Sequence, residues 1–181
     1  MPWQWWPSLD AMSAVIEAPG PWPSPAPHWN GTFVPLDVDK YDGLGVVVGY
    51  GPTRSGNDGI GFDDFQVMDG RWQRLGGGSG SHTLDLRDQL QETTALHLRM
   101  SGSSGESLFD ARRSVSHAIF VCGRDVAAVE VHRQLGVRSA DVSMGPGWLA
   151  VLWTPDDRAT VRAYTSDRTL TFSWTSHPEA A

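Results

Sequence analysis

The chain has 181 residues, with 14 basic and 21 acidic side chains and a formal net charge of -7. That balance argues against nucleic acid and anionic lipid as partners, because both are held largely by basic faces. Charged residues at 19%, with 20 Gly and 12 Pro, argue against a helical bundle or a coiled coil.

Residues 1–30 form a segment of distinct composition. They hold Trp3, Trp5, Trp6, Trp22 and Trp29, five of the nine tryptophans, and the prolines Pro2, Pro7, Pro19, Pro21, Pro23, Pro25 and Pro27. The apolar stretch from Ser8 to Ala18 predicts a short helix, capped by Ser8 and ended by Pro19-Gly20. The alternating prolines from Pro19 to Pro27 predict an extended polyproline-like run. Such an arm either packs back over an open edge or face of the body, or docks a protein partner through tryptophans, which are enriched at interface hot spots. Membrane insertion is the third option, but the arm has no Lys or Arg to assist it.

From Phe33 onward strand signals follow one another. Thr32 to Val38 alternates and contains Pro35, which suits an edge strand. Leu44 to Tyr50 is β-branched and flanked by glycines. Phe65 to Met68 and Arg71 to Leu75 flank Asp69-Gly70, a hairpin signal, because both turn positions require positive φ. Thr83 to Leu86 and Ala95 to Met100 alternate with period two. The stretch from Asp85 to Thr94 is open to a turn of helix instead. Ser116–Gly123, Val126–Leu135, Val137–Val142, Trp148–Trp153, Thr160–Tyr164 and Leu170–Trp174 also read as strands. The breaks between them are Gly123-Arg124, Gly136, Gly145-Pro146-Gly147, Pro155-Asp156-Asp157 and Asp167. This spacing predicts an antiparallel sandwich or barrel rather than βαβ units. Trp148–Trp153 is apolar on both faces and belongs at the centre of a sheet. Gly76–Ser81 and Ser101–Gly105 read by composition as flexible connectors.

An apolar strand ending at Gly123, then Asp125–Val131, Gly147–Trp153 and Val161–Tyr164, together resemble an immunoglobulin-like module that recurs in uncharacterised actinobacterial proteins. Asp69-Gly70-Arg71-Trp72 followed by Leu75–Gly78 is similar to a stretch found beside that module. The resemblance spans about half the chain. It implies a sandwich fold and carries over no activity and no catalytic residue.

Motifs with chemistry are sparse. His28, His82, His97, His117, His132 and His177 are scattered, and His-Glu-x-x-His is absent. His97 and His132 lie on expected strands and could meet across a sheet. Ser81-His82 with Asp85 invites a catalytic triad, but a triad is a matter of geometry. The glycines from Gly76 to Gly80 lack the lysine of a phosphate loop, since Lys40 is the sole lysine. Asn57, Asp58, Asp63 and Asp64 form the best hard-oxygen metal candidate if they share a loop, although the spacing is not that of an EF-hand. Asp37, Asp39 and Asp42 around Lys40 read as a second acidic group at a solvated turn. Trp72, Trp148 and Trp153 would serve a sugar-binding platform only if exposed, and their apolar neighbours favour a core. Cys122, in an apolar run, reads as a buried inert thiol.

The expectation is therefore a mainly β chain: an antiparallel immunoglobulin-like β-sandwich with additional strands and a Trp/Pro-rich N-terminal arm. Residues 1–30 would be the arm and 31–181 the β domain, with 110–175 as the sandwich-like module. The expected role is non-enzymatic docking of a protein partner through Trp3, Trp5, Trp6, Trp22 and Trp29 or through a sheet edge, without a cofactor. A small hydrolase using His82 or His117, or a calcium- or carbohydrate-binding sandwich, is the alternative. No segment approaches the roughly 18 apolar residues of a membrane helix, and no basic leader precedes an apolar run. The chain is thus expected to be soluble and cytoplasmic.

Overall fold

The computed structural model describes residues 15–18, 34–52, 58–80, 96–104, 115–141, 148–154 and 156–176. Eleven strands lie among them, and every strand pairing is antiparallel. The first sheet is a meander, β1 (Val34–Tyr41), β2 (Leu44–Pro52), β3 (Asp58–Met68) and β4 (Arg71–Gly80), in the order β1-β2-β3-β4. Pro35 sits on the edge strand β1, as its missing N–H requires. The hairpin turns are Asp42-Gly43, with φ of 48° and 73°, and Asp69-Gly70, with φ of 51° and 75°. Two consecutive positive φ values match the right-handed twist of the flanking strands.

The middle sheet takes β5 (Leu96–Ser104), β6 (Val115–Cys122) and β9 (Trp148–Trp153) in the order β5-β6-β9. The third takes β7 (Ala128–Arg133), β8 (Gly136–Asp141), β10 (Thr160–Tyr164) and β11 (Leu170–Thr175) in the order β11-β10-β7-β8. Side-chain alternation along β6 and β9 divides their residues between two cores. Val115, Ile119 and Val121 of β6, with Trp148, Ala150 and Leu152 of β9, pack on Leu36, Leu44, Val46, Val48 and Ile60 of the first sheet. Ala118, Phe120, Cys122, Leu149, Val151 and Trp153 pack on Val129, Val131, Val161 and Ala163 of the third sheet. The middle sheet is therefore sandwiched, and every residue of β6 and β9 is buried. Trp174 closes the second core edge-on, 5.2 Å from Phe120 and 5.4 Å from Trp153 between ring centroids.

A third, smaller cluster lies on the opposite side of the first sheet. A helical turn over residues 15–17 places Ile16, fully buried, against Val38, Val47 and Phe65. Gly45 makes this fit possible, since a Cβ there would run into Ile16 Cδ1 and come within 3.1 Å of the Trp72 ring. Lys40 Nζ also donates to the Ala18 carbonyl at 3.1 Å. The rest of the Ser8–Ala18 helix, the five arm tryptophans and the Asp85–Thr94 stretch lie outside the described residues.

Two expectations are corrected. Gly76–Gly80 is not a connector but the second half of β4, and Ser101–Ser104 likewise ends β5. Gly77 and Gly78 serve close packing: a Cβ on Gly77 would meet the Asp63 carboxylate and sit 2.5 Å from the Phe62 carbonyl oxygen. A Cβ on Gly78 would press on the Phe62 ring at 3.1 Å. Glycine in a strand marks such an approach, which composition alone does not distinguish from a linker.

Candidate functional site

Among the described residues, two polar clusters join side chains of several strands. The first lies at the edge of β9 that faces away from β6. Asp37 and Asp39, expected at a solvated turn, are instead fully buried on β1. Being two apart on a strand, they share one face. Asp37 Oδ2 accepts the Ala150 N–H at 2.7 Å, and Asp39 Oδ2 accepts the Leu152 N–H at 2.7 Å. From the third sheet Arg138 Nη1 donates to the Ala150 carbonyl at 2.9 Å and Arg133 Nε to the Leu152 carbonyl at 3.0 Å. The guanidiniums also pair with the carboxylates, Arg138 with Asp37 at 2.5 Å and Arg133 with Asp39. Four side chains thus bond the N–H and C=O of two alternate residues, as a neighbouring strand would.

Burial pushes the Asp37 carboxyl up to about 6, against the pull of Arg138 and the Ala150 N–H. Burial also works against the Arg138 cation, but Asp37 and Asp39 outweigh it and hold the guanidinium above its ordinary range. The Arg133 guanidinium stacks on the Tyr41 ring at 4.7 Å. Tyr41 in turn donates its hydroxyl to Asp157 and accepts the Leu135 N–H at 3.1 Å, tying the β7–β8 turn to the first sheet.

The second place is the solvent face of the third sheet. Glu130 of β7 lies opposite Ser139 on β8 and Arg162 on β10. Its Oε2 accepts from His132 Nε2 at 3.0 Å and from the Tyr164 hydroxyl at 3.1 Å. These bonds, His132 first, hold the Glu130 carboxyl below its ordinary range. Its other oxygen, Oε1, stands 3.8 Å from Arg168. A shallow groove runs past it, lined by Ala127, Ala128, Ser139, Ala140, Thr165 and Arg168. Beside the groove is β8, paired only with β7 among the described residues, with Val137 56% and Leu135 of the adjoining turn 72% exposed.

The remaining candidates resolve as follows. Asn57 lies outside the described residues. Asp58, Asp63 and Asp64 do not share a loop; they belong to β3. Asp63 and Asp64, as neighbours on a strand, point to opposite faces. Asp63 receives Arg74 Nε at 2.6 Å, and Asp64 stands 3.3 Å from His117 Nδ1. Among the described residues no group of three His, Cys, Asp or Glu side chains is placed to hold a metal ion. His117 is buried beside the Phe62 ring, and its Nε2 has no hydrogen-bond partner among the described residues, so none of their serines is poised for it to activate. His97 and His132 lie in different sheets, and His28, His82, Ser81, Asp85 and His177 fall outside the described residues. Trp148 and Trp153 are core residues, and Trp72 is half-buried against the cluster around Ile16. Cys122 is buried, and burial pushes its thiol far above the ordinary range.

Sequence reasoning missed the role of Asp37, Asp39, Arg133, Arg138 and Glu130. Asp37-Val38-Asp39 on a strand, answered by arginines on a hairpin, is the signal that could have found the buried set. Compared with protein-family models, curated proteins and solved structures, the chain matches none. Among the described residues no helix is long and apolar enough to cross a membrane.

Proposed function

We propose that the chain is a non-enzymatic protein-interaction module that docks an extended segment of a protein partner along the β8 edge. The observation that carries this reading is the contrast between two edges. The β9 edge is closed by Asp37, Asp39, Arg133 and Arg138, whereas β8 carries exposed Val137 and adjoins exposed Leu135. Native sheets guard edges that must not pair, and an unguarded apolar edge accepts an added strand.

We further propose that β5–β11 is an immunoglobulin-like sandwich, as the actinobacterial resemblance implies. The strand order supports this. If β5 to β11 are labelled A to G, the two sheets read A-B-E and G-F-C with the fourth strand beside C. The immunoglobulin pattern places A, B and E in one sheet and C, F and G in the other.

The test is capture of partner from the native host by immobilised full-length chain, comparing the native protein with Val137→Lys and Leu170→Lys. A charge on the edge should abolish capture at Val137 and spare it at Leu170, with circular dichroism unchanged in both. Capture insensitive to Val137→Lys would sink the β8 reading. A triple substitution of Trp3, Trp5 and Trp6 by Ala then tests the arm. It is preferable to deletion of residues 1–28, which would also remove Ile16 from Gly45.

A further inference from the structure

We infer that the segment docked along β8 carries an arginine or lysine, and that Glu130 selects it. This rests on the β8 reading above. A strand added to β8 would extend the third sheet by one spacing and lie about 10 Å, two spacings, from β7. Directly between the added strand and Glu130 stands Ser139, small and exposed. A long cationic side chain opposite Ser139 can therefore lie across it, beside Ala128 on the same face, toward the Glu130 carboxylate.

The carboxylate is prepared for such a partner. A carboxylate has about four acceptor positions. His132 and Tyr164 occupy two, both on Oε2, and their hydrogen bonds hold the carboxyl below its ordinary range. Oε1 meets only the loose contact with Arg168 at 3.8 Å among the described residues. Arg168 is mostly exposed and sits at φ 66° in the β10–β11 turn. It is a weakly held occupant that an incoming cation displaces. The net charge of -7 favours the approach of a basic segment.

The experiment uses the full chain, isotope-labelled, titrated with two synthetic peptides. Both are seven-residue, alternating Thr and Val; one has Arg at the centre and the other Met. Amide shifts on β8 report docking. The arginine peptide should bind about threefold to tenfold more tightly at low salt. That preference should shrink at 0.5 M salt, because the pair is partly exposed, by roughly the screening expected there. Glu130→Gln should erase the preference, and Arg168→Gly, which suits the positive φ, should enlarge it. Equal binding of both peptides along β8 would overturn the selection by Glu130 and leave the edge reading standing. No shift along β8 with either peptide at millimolar concentration would overturn both.

Discussion

Asp39 and Leu152, 113 positions apart, are joined by a 2.7 Å hydrogen bond from the Leu152 N–H to the Asp39 carboxylate. That bond belongs to a set in which Arg133 also holds the Leu152 carbonyl and the carboxylate itself. The set links the first sheet, the middle sheet and the third at one point. Removing one member strands the others in a site where water does not replace them.

Asp39→Ala should therefore cost about 3–5 kcal/mol in denaturant unfolding, the usual penalty for leaving a buried charge alone. The double substitution Asp39→Leu with Arg133→Met should cost much less than the sum of the single changes. Additive losses would show that the two side chains do not act as a pair.

Asp37 gives the protein a distinctive pH response. Its carboxyl is held up to about 6 in the folded chain, against roughly 3.9 when unfolded. A raised folded value means that its stabilising share is complete below about pH 4 and fades as pH rises through about 6. Relative to Asp37→Asn, the native chain should gain on the order of 1–3 kcal/mol as pH falls from 7 to 4. Glu130 and Asp167, whose carboxyls are held low, act with the opposite sign, and their share is lost only below about pH 4. Parallel stability curves for the two proteins would refute the assignment.

Gly45 and Ile16 fit as hole and knob. Gly45→Val should destabilise by about 1–3 kcal/mol through overpacking. Ile16→Ala in the same chain should recover part of that loss, although alone it costs about 2–5 kcal/mol. A double-mutant cycle by thermal unfolding reads the coupling; no recovery would mean that the helical turn does not rest on Gly45.

A fragment of residues 96–181 should be poorly soluble. It would expose Val115, Ile119, Val121, Trp148 and Leu152, together with the β9 edge that Asp37 and Asp39 close. Dye binding and light scattering on the fragment, beside the full chain, check this. A soluble monomeric fragment with no dye binding would show that the first sheet is dispensable.

Much of the strand pattern was legible. Asp69-Gly70 marked its hairpin, and the two-sided apolar character of Trp148–Trp153 marked an interior strand. Local pattern failed where distant residues decide. Asp37 and Asp39 look wet beside Lys40 because their arginines lie about a hundred positions downstream. Gly77-Gly78 looks like part of a linker because Asp63 and Phe62, which fill the space above the two glycines, belong to another strand. Glu130 looks like any outward strand residue, and only the sheet register shows Ser139 standing beside it.

The position of β9 has a bearing on synthesis. The first sheet is complete at Gly80, but the middle sheet that covers it lacks its edge until Trp153 has been made. Roughly 70 residues separate Gly80 from the start of β9, or about 3–14 s of translation at about 5–20 residues per second. For that interval Leu36, Leu44, Val46 and Val48 have no Trp148 or Leu152 to meet. A nascent chain with this order of parts is one that a ribosome-bound holdase would be expected to grip, and to release once β9 has emerged.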